Sequence, residues 1–167
     1  MMERIWSGWR ADYVGSADRS DGAASPFTQI LESGESDEST HIVHRGERVF
    51  AIMNIHPYTT GHLLVVPYRE VADLDDLTPE ETIDLWSTVT VAVRALRATY
   101  APDGLNVGLN LGRSAGGSVP SHLHVHVVPR WTGDSNFMTA IANTQTLPES
   151  LSSSAARVRR AWISTSP

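Results

Sequence analysis

The sequence contains no cysteine and no lysine. The first absence removes disulfides, thiolate nucleophiles and cysteine-ligated zinc or iron–sulfur sites, while leaving open a metal site built from histidine and carboxylate. The second removes Schiff-base catalysis and a Walker-type phosphate loop, both of which need a lysine amine. All 13 basic side chains are therefore arginine, and any phosphate chemistry must rely on arginine, histidine and backbone amides. Long apolar runs are also missing. No stretch reaches the roughly 18 residues of a membrane-spanning helix, and Met1 to Arg10 lacks the apolar centre of a signal peptide. A cytoplasmic protein without membrane contact is the expectation.

Positive charge is scarce as well. The formal net charge is -6, so the basic footprint of a nucleic-acid binder is absent. What remains is ordinary for one globular domain: 167 residues, 41% of them hydrophobic, enough for a core without covalent staples.

Residues 1–40 read as an N-terminal arm and loops, followed by a single domain over 41–167. Trp6, Trp9 and Arg10 suit an arm packing its aromatics on the body, or a contact at a site mouth or dimer interface. Gly15 to Ser25 and Glu32 to Thr40 are rich in Ser, Asp, Glu and Gly and read as solvated loops. Pro26 to Leu31 is a short ordered piece between them. Strands are expected at His41–His44, Arg48–Asn54 and His62–Pro67, with Pro57 and Gly61 marking the turn between the last two. Thr78-Pro79-Glu80-Glu81 is a helix start: Thr78 caps, Pro79 suits the first helical position, and Glu81 completes a capping box. Leu85, Trp86, Val89, Ala92, Val93, Leu96 and Tyr100 follow at three- and four-residue steps, predicting one apolar face that ends before Pro102. Leu105 to Leu111 alternates, its leucine and valine face predicted to meet that helix and its asparagine face to look toward solvent or a ligand. Ser121–Val128 is a further strand and Ser150–Trp162 a C-terminal helix. The fold class is α+β, an antiparallel sheet with the long helix on one face.

The chemistry centres on His122-Leu123-His124-Val125-His126. In a strand, the three imidazoles share one face, roughly 6.5–7 Å apart, while Leu123, Val125 and Val127 enter the core. Apolar residues would fill such a face at less cost, so the pattern points to function. A strand His-x-His pair can chelate a metal. Alternatively, a neutral imidazole attacks phosphorus while protonated neighbours hold the oxygens. The loop Ser114-Ala115-Gly116-Gly117-Ser118 favours phosphate, because unencumbered amides and hydroxyls form an anion nest that a metal site does not need. Arg130 is a candidate cation or a plain surface residue. His41 and His44 read as bland, and His56, beside Asn54 and Pro57, as a residue bordering a ligand pocket.

His122 to Arg130 resembles the motif of the histidine triad superfamily. The resemblance extends to Asn54, Pro57 and Gly61-His62-Leu63-Leu64-Val65-Val66-Pro67, and to the helix start at Leu77 to Glu81. More narrowly, Asn106 to Gly112, Ser114 to Ser118, the triad, Trp131 and Gly133-Asp134-Ser135-Asn136-Phe137 are similar to the bacterial diadenosine tetraphosphate phosphorylases of that superfamily. Those enzymes transfer an adenylyl group to inorganic phosphate, whereas hydrolytic relatives use water on dinucleoside polyphosphates or nucleoside phosphoramidates.

The resemblance implies that His124 is the nucleophile, that the His122 carbonyl fixes its tautomer, and that His126 assists the leaving group. It implies that His62 supports His122 from the neighbouring strand. Asn110, Gly117 and Ser118 would hold phosphate oxygens, Asn54 the ribose, and Trp131 the second nucleotide. It implies no cofactor, and partners limited to a nucleotide and phosphate or water. A homodimer is implied, with a tetramer as the larger assembly. Two departures stand out. Pro26-Phe27-Thr28-Gln29 occupies the region where many bacterial members carry a zinc-binding Cys-x-x-Cys pair, so no metal is expected. Pro120, two before His122, removes an amide and stiffens the loop, which bears on how an acceptor is held. A non-catalytic nucleotide sensor would require a damaged triad, and all three histidines are present.

Overall fold

The computed structural model describes residues 24–134 and 149–165. The tryptophan-bearing arm at Trp6 and Trp9, and Ser135-Asn136-Phe137, lie outside the described residues. In chain order the elements are helices α1 (Pro26–Glu32) and α2 (Asp37–Thr40), strands β1 (Ile42–Arg45), β2 (Val49–Met53) and β3 (Leu63–Pro67), and helix α3 (Pro79–Tyr100). Strands β4 (Gly104–Gly108) and β5 (Val125–Arg130) and helix α4 (Leu151–Thr165) follow. The strands form one antiparallel five-stranded sheet in the order β1-β2-β3-β5-β4, the α+β arrangement that the sequence predicts.

Strand alternation divides the core between two faces. Val49, Ala51, Met53, Leu63, Val65, Val125 and Val127 point to the side covered by α3 and α4, meeting Leu85, Val89, Leu96, Val158 and Trp162. Phe50, Ile52, Leu64 and Val66 point to the other side, where Phe27 of α1 covers them. Fully burying one such side chain contributes roughly 1.5–3 kcal/mol, so neither face is left as a solvent surface. A bulge in β1, between Ile42 and His44, turns Val43 to the helical side beside His44, whose ring stacks on Trp162 at 4.9 Å.

Helix α3 starts as its sequence predicts. The Thr78 hydroxyl accepts from the Glu81 amide at 3.2 Å, and the Glu81 carboxylate accepts from the Thr78 amide at 2.8 Å. Glu81 also takes a two-pronged ion pair from Arg69. Leu85, Val89, Ala92 and Leu96 are buried, but Trp86 is exposed. It lies one residue off the apolar stripe and faces away from the sheet.

Several local expectations need correction. Glu32 to Thr40 is not loop throughout: Ser36 caps the short α2 by accepting from Ser39. Ser25, assigned to a solvated loop, is buried and caps α1. Strand β4 stops at Gly108, and Val107 is exposed instead of meeting α3, because β4 is an edge strand lying beyond the helix. The regular part of β5 begins at Val125, so of the triad only His126 lies within paired strand.

Candidate functional site

The face of the sheet opposite the long helices opens into a cleft of ≈ 610 Å³ between α1, the turn 54–58 and the loop 110–119. His124 and His126 line it, together with Asn54, Asn110, Gly117 and Ser118. His56 also borders it, as its place beside Asn54 suggests. The apolar wall comes from Phe27, Ile30, Ile52 and Val119.

The alternation begun in β5 persists backwards to His122 although the regular ladder does not. His122 Nε2–H donates to the Pro67 carbonyl at 2.8 Å, and the Leu123 amide donates to the Val71 carbonyl at 2.6 Å. A carbonyl can only accept, so the neutral His122 ring keeps its other nitrogen, Nδ1, as an acceptor. Ser25 Oγ lies 2.6 Å from that Nδ1 and donates to it. The Phe27 ring sits edge-on against His122 and tilted against His124, at centroid distances of 5.4 and 5.3 Å.

His124 Nδ1 lies 2.7 Å from the His122 carbonyl oxygen. By the same logic, Nδ1 carries the hydrogen and Nε2 keeps its lone pair for attack. His126 has the opposite tautomer. The Tyr58 amide donates to His62 Nδ1 at 3.0 Å, so His62 carries its hydrogen on Nε2 and donates it to His126 Nδ1 at 2.9 Å. His126 is left with an Nε2–H, and that nitrogen is buried without a hydrogen-bond partner among the described residues. A buried donor with no acceptor is costly, and a ligand oxygen in the cleft would satisfy it. The site thus pairs a nitrogen lone pair on His124 with an N–H on His126, their rings 4.9 Å apart.

The expected support of His122 by His62 is not what the fold provides. The antiparallel register sets Leu64 opposite His126, so His62, at the entrance of β3, reaches the far end of the triad and holds His126. His122 is held from Ser25 and Pro67. Trp131 does not line the cleft, because its ring packs edge-on against Tyr100 of α3, 6.3 Å between centroids. Arg130 is no free cation, being bound to Asp134 and to the Asn106 amide oxygen. Asn54 accepts from the His56 amide at 2.9 Å, which tightens the turn at the cleft rim.

The electrostatics also depart from expectation. Burial, then the charge of neighbouring imidazoles, pushes His62 down to about 3 and His126 down to about 4. Burial lowers His124 and His122 too, opposed in each by the hydrogen bond to a backbone carbonyl. The triad is therefore a set of neutral rings oriented by hydrogen bonds, in place of cationic neighbours around one neutral ring. Nucleophilic attack gains from this, since a protonated His124 has no lone pair to offer.

Sequence alone missed Ser25, Phe27, Ile30 and Tyr58. Ser25 followed by Pro26 is a helix-start signal, but its partner His122 lies 97 residues away.

A cleft lined by oriented neutral imidazoles, on an antiparallel sheet backed by a long helix, defines a class suited to attack on phosphorus. Residues 35–133 match the HIT domain family, and the chain belongs to it. Among its relatives, the AP-4-A phosphorylase of Mycobacterium tuberculosis is 46% identical over 156 residues, covering 90% of this chain and 79% of that protein. A bis(5'-nucleosyl)-tetraphosphatase [asymmetrical] of Schizosaccharomyces pombe is 36% identical over 57% of this chain and 52% of that protein. Among solved structures, a zinc-bound histidine triad family protein from Mycobacterium smegmatis superposes with a TM-score of 0.69 at 29% identity, covering 84% of this chain and 94% of that one. The zinc belongs to that protein. Here the chain has no thiol, Phe27 is turned onto the imidazoles, and the Thr28 hydroxyl donates to Glu70. This donor set does not fit a thiolate-held zinc.

Proposed function

We propose that the protein is a nucleotidyl transferase that splits dinucleoside polyphosphates, with diadenosine tetraphosphate and inorganic phosphate converted to ADP and ATP. The observation that carries this reading is the His124 ring: Nδ1 is tied to the His122 carbonyl and the other nitrogen is left for attack. The similarity to the AP-4-A phosphorylase supports the choice of substrate and acceptor.

In the first step, His124 Nε2 attacks the α-phosphorus. The bond to the bridging oxygen breaks, and ATP leaves with that oxygen accepting a hydrogen bond from the neutral His126 Nε2–H, which keeps its proton. Positive charge on the His124 ring is met by the His122 carbonyl. In the second step, an oxygen of inorganic phosphate attacks the adenylyl-histidine, the P–N bond breaks, and ADP departs. Asn110, Gly117 and Ser118 hold phosphate oxygens and Asn54 the ribose. Each such preorganised donor is worth roughly 3–4 kcal/mol in the transition state. No cofactor takes part. We place the enzyme in the cytoplasm as a homodimer. Among the described residues no strand pairs with the outer edge of β4, and Val107 on it and Leu111 beyond its end are exposed, which supports association; light scattering coupled to size exclusion checks it.

The deciding experiment supplies diadenosine tetraphosphate with and without inorganic phosphate and identifies products by mass. ADP and ATP formed only with phosphate support the phosphorylase. AMP and ATP formed regardless of phosphate favour the hydrolytic reading, for which the tetraphosphatase relative speaks. An adenylyl adduct on His124, seen by mass in the denatured protein, separates both from a non-catalytic nucleotide sensor. His124→Ala is expected to abolish adduct and turnover.

A further inference from the structure

The segment Ser121–Leu123, which leads into the triad, is outside the regular sheet ladder, and the stretch 67–71 holds it at three points. Pro67 accepts from His122 Nε2, Val71 accepts from the Leu123 amide at 2.6 Å, and the Glu70 carboxylate accepts from Ser121 Oγ at 3.2 Å. The same carboxylate also reaches in the other direction. It accepts from the Ser25 amide at 3.0 Å and from the Thr28 hydroxyl at 2.7 Å. Ser25 is the N-cap of α1 and Thr28 lies in its first turn; this helix lays Phe27 on His122 and His124 and supplies the cleft wall. With the Thr28 hydrogen committed to Glu70, Thr28 Oγ1 can only accept, and Ser25 Oγ gives its single hydrogen to the nearer acceptor, His122 Nδ1 at 2.6 Å against 3.1 Å for Thr28.

We infer that Glu70 is a positioning residue, a clamp that joins α1 to the segment 121–123 and thereby sets the His122 carbonyl against His124. It touches neither cleft nor substrate; its effect passes through Ser25 and Ser121 to His122. The consequence for turnover rests on the proposed role of His124, whereas the consequence for imidazole geometry does not. A misplacement of about 1 Å at a reacting group can cost about a hundredfold in rate, so a loosened carbonyl is kinetically visible.

The test compares Glu70→Gln with Glu70→Ala. A glutamine oxygen still accepts from Ser25 and Thr28, and its amide can donate to the Ser121 oxygen, so geometry survives without charge. Alanine removes the clamp. Imidazole N–H signals are recorded at neutral pH on protein labelled with nitrogen-15 histidine, well below the unfolding temperature, alongside kcat and KM. Glu70→Ala should lose the exchange-protected His124 Nδ1–H signal and about tenfold or more of kcat, with less change in KM. Glu70→Gln should keep the signal and most of the turnover. Ser121→Ala, which cuts only the triad-side arm, should move both readouts less in the same direction, and it serves if Glu70→Ala does not fold. An intact His124 signal in both Glu70→Ala and Ser121→Ala overturns the inference, as does equal loss in Gln and Ala, which would make charge the cause. If the signal responds as stated while no dinucleotide is turned over by the wild type, the clamp stands and the substrate reading falls.

Discussion

His62 Nε2 lies 2.9 Å from His126 Nδ1, and the Tyr58 amide 3.0 Å from His62 Nδ1 allows only one direction for the hydrogen between the two rings. A backbone amide, fixed by the turn before β3, thus decides which nitrogen His126 presents to the cleft. Replacing His62 by Gln leaves a side chain able to donate to His126, while Ala leaves none. We expect His62→Ala to lower kcat by about 10²-fold, in the range for losing one preorganised hydrogen-bond donor to the developing charge, and His62→Gln by less. His126→Ala should retain some adduct formation with substrates whose leaving oxygen carries little charge and needs no hydrogen bond. Stopped-flow release of a good and a poor leaving group checks this. Equal losses for both leaving groups would remove His126 from any role at the leaving oxygen.

The same pair makes stability depend on pH in a stated direction. His62 and His126 are held at about 3 and about 4, below the ordinary imidazole value. Above about 6.5 both rings are neutral folded and unfolded, so the shifts have no effect there. As pH falls from there toward the folded values, the unfolded chain takes up protons that the folded chain refuses, and stability is lost. Shifts of this size amount to several kcal/mol once the window is crossed. Melting temperature should therefore drop between pH 6.5 and 5, before most carboxylates titrate, and His62→Gln should flatten that drop. His122 and His124 shift in the same direction, so the single variant removes only part of the slope. A slope unchanged in His62→Gln would show that its burial has been misjudged.

Phe27 serves both core and site. It is 7% exposed, packs with Ile42, Phe50 and Val66, and touches two triad rings. Phe27→Ala should cost roughly 3–5 kcal/mol, the range for removing a buried phenyl group, and should raise KM because the cleft loses part of its wall. Phe27→Leu should recover most of the stability and less of the KM. Chemical denaturation and steady-state kinetics on the same samples read the two effects. A KM unchanged in Phe27→Ala would mean that the ring only fills the core.

What could be read in the sequence was local. The capping box at Thr78 and Glu81, the alternation through Leu123, Val125 and Val127, and the histidines between them each depend on neighbours a few residues apart. The sheet order was not legible, and with it went the partner of His62, since antiparallel pairing to β5 carries that residue to His126. Nor was the site's second wall. The polar run around Ser25 looks solvated until α1 folds over the sheet and brings Ser25 within 2.6 Å of His122. The neutrality of the triad follows from that cover. Three imidazoles in an open strand would titrate near their ordinary values; beneath α1 and the turn 54–58 they cannot.

Gly61 offers the most local of the tests. Its φ is +80°, a region that side chains disfavour, and a Cβ there would lie 2.6 Å from Cε2 of Tyr100 and 3.3 Å from Pro129. The close approach matters because Gly61 immediately precedes His62: the residue that lets the chain pass beneath the end of α3 also aims the ring that orients His126. Tyr100 cannot easily give way, since its hydroxyl donates to Glu149 at 3.0 Å and Arg157 lies over its ring at 4.7 Å. Gly61→Ala should therefore cost about 1 kcal/mol from backbone strain and a further 1–3 kcal/mol from overpacking. The two causes separate in a double-mutant cycle with Tyr100→Ala, where the overpacking part should vanish and the strain part remain. If Gly61→Ala costs as much in the Tyr100→Ala background as in the wild type, the clash is relieved elsewhere and the backbone angle alone requires glycine. If the cost falls, the contact between the end of α3 and this turn is what places His62, and activity should follow stability across the cycle.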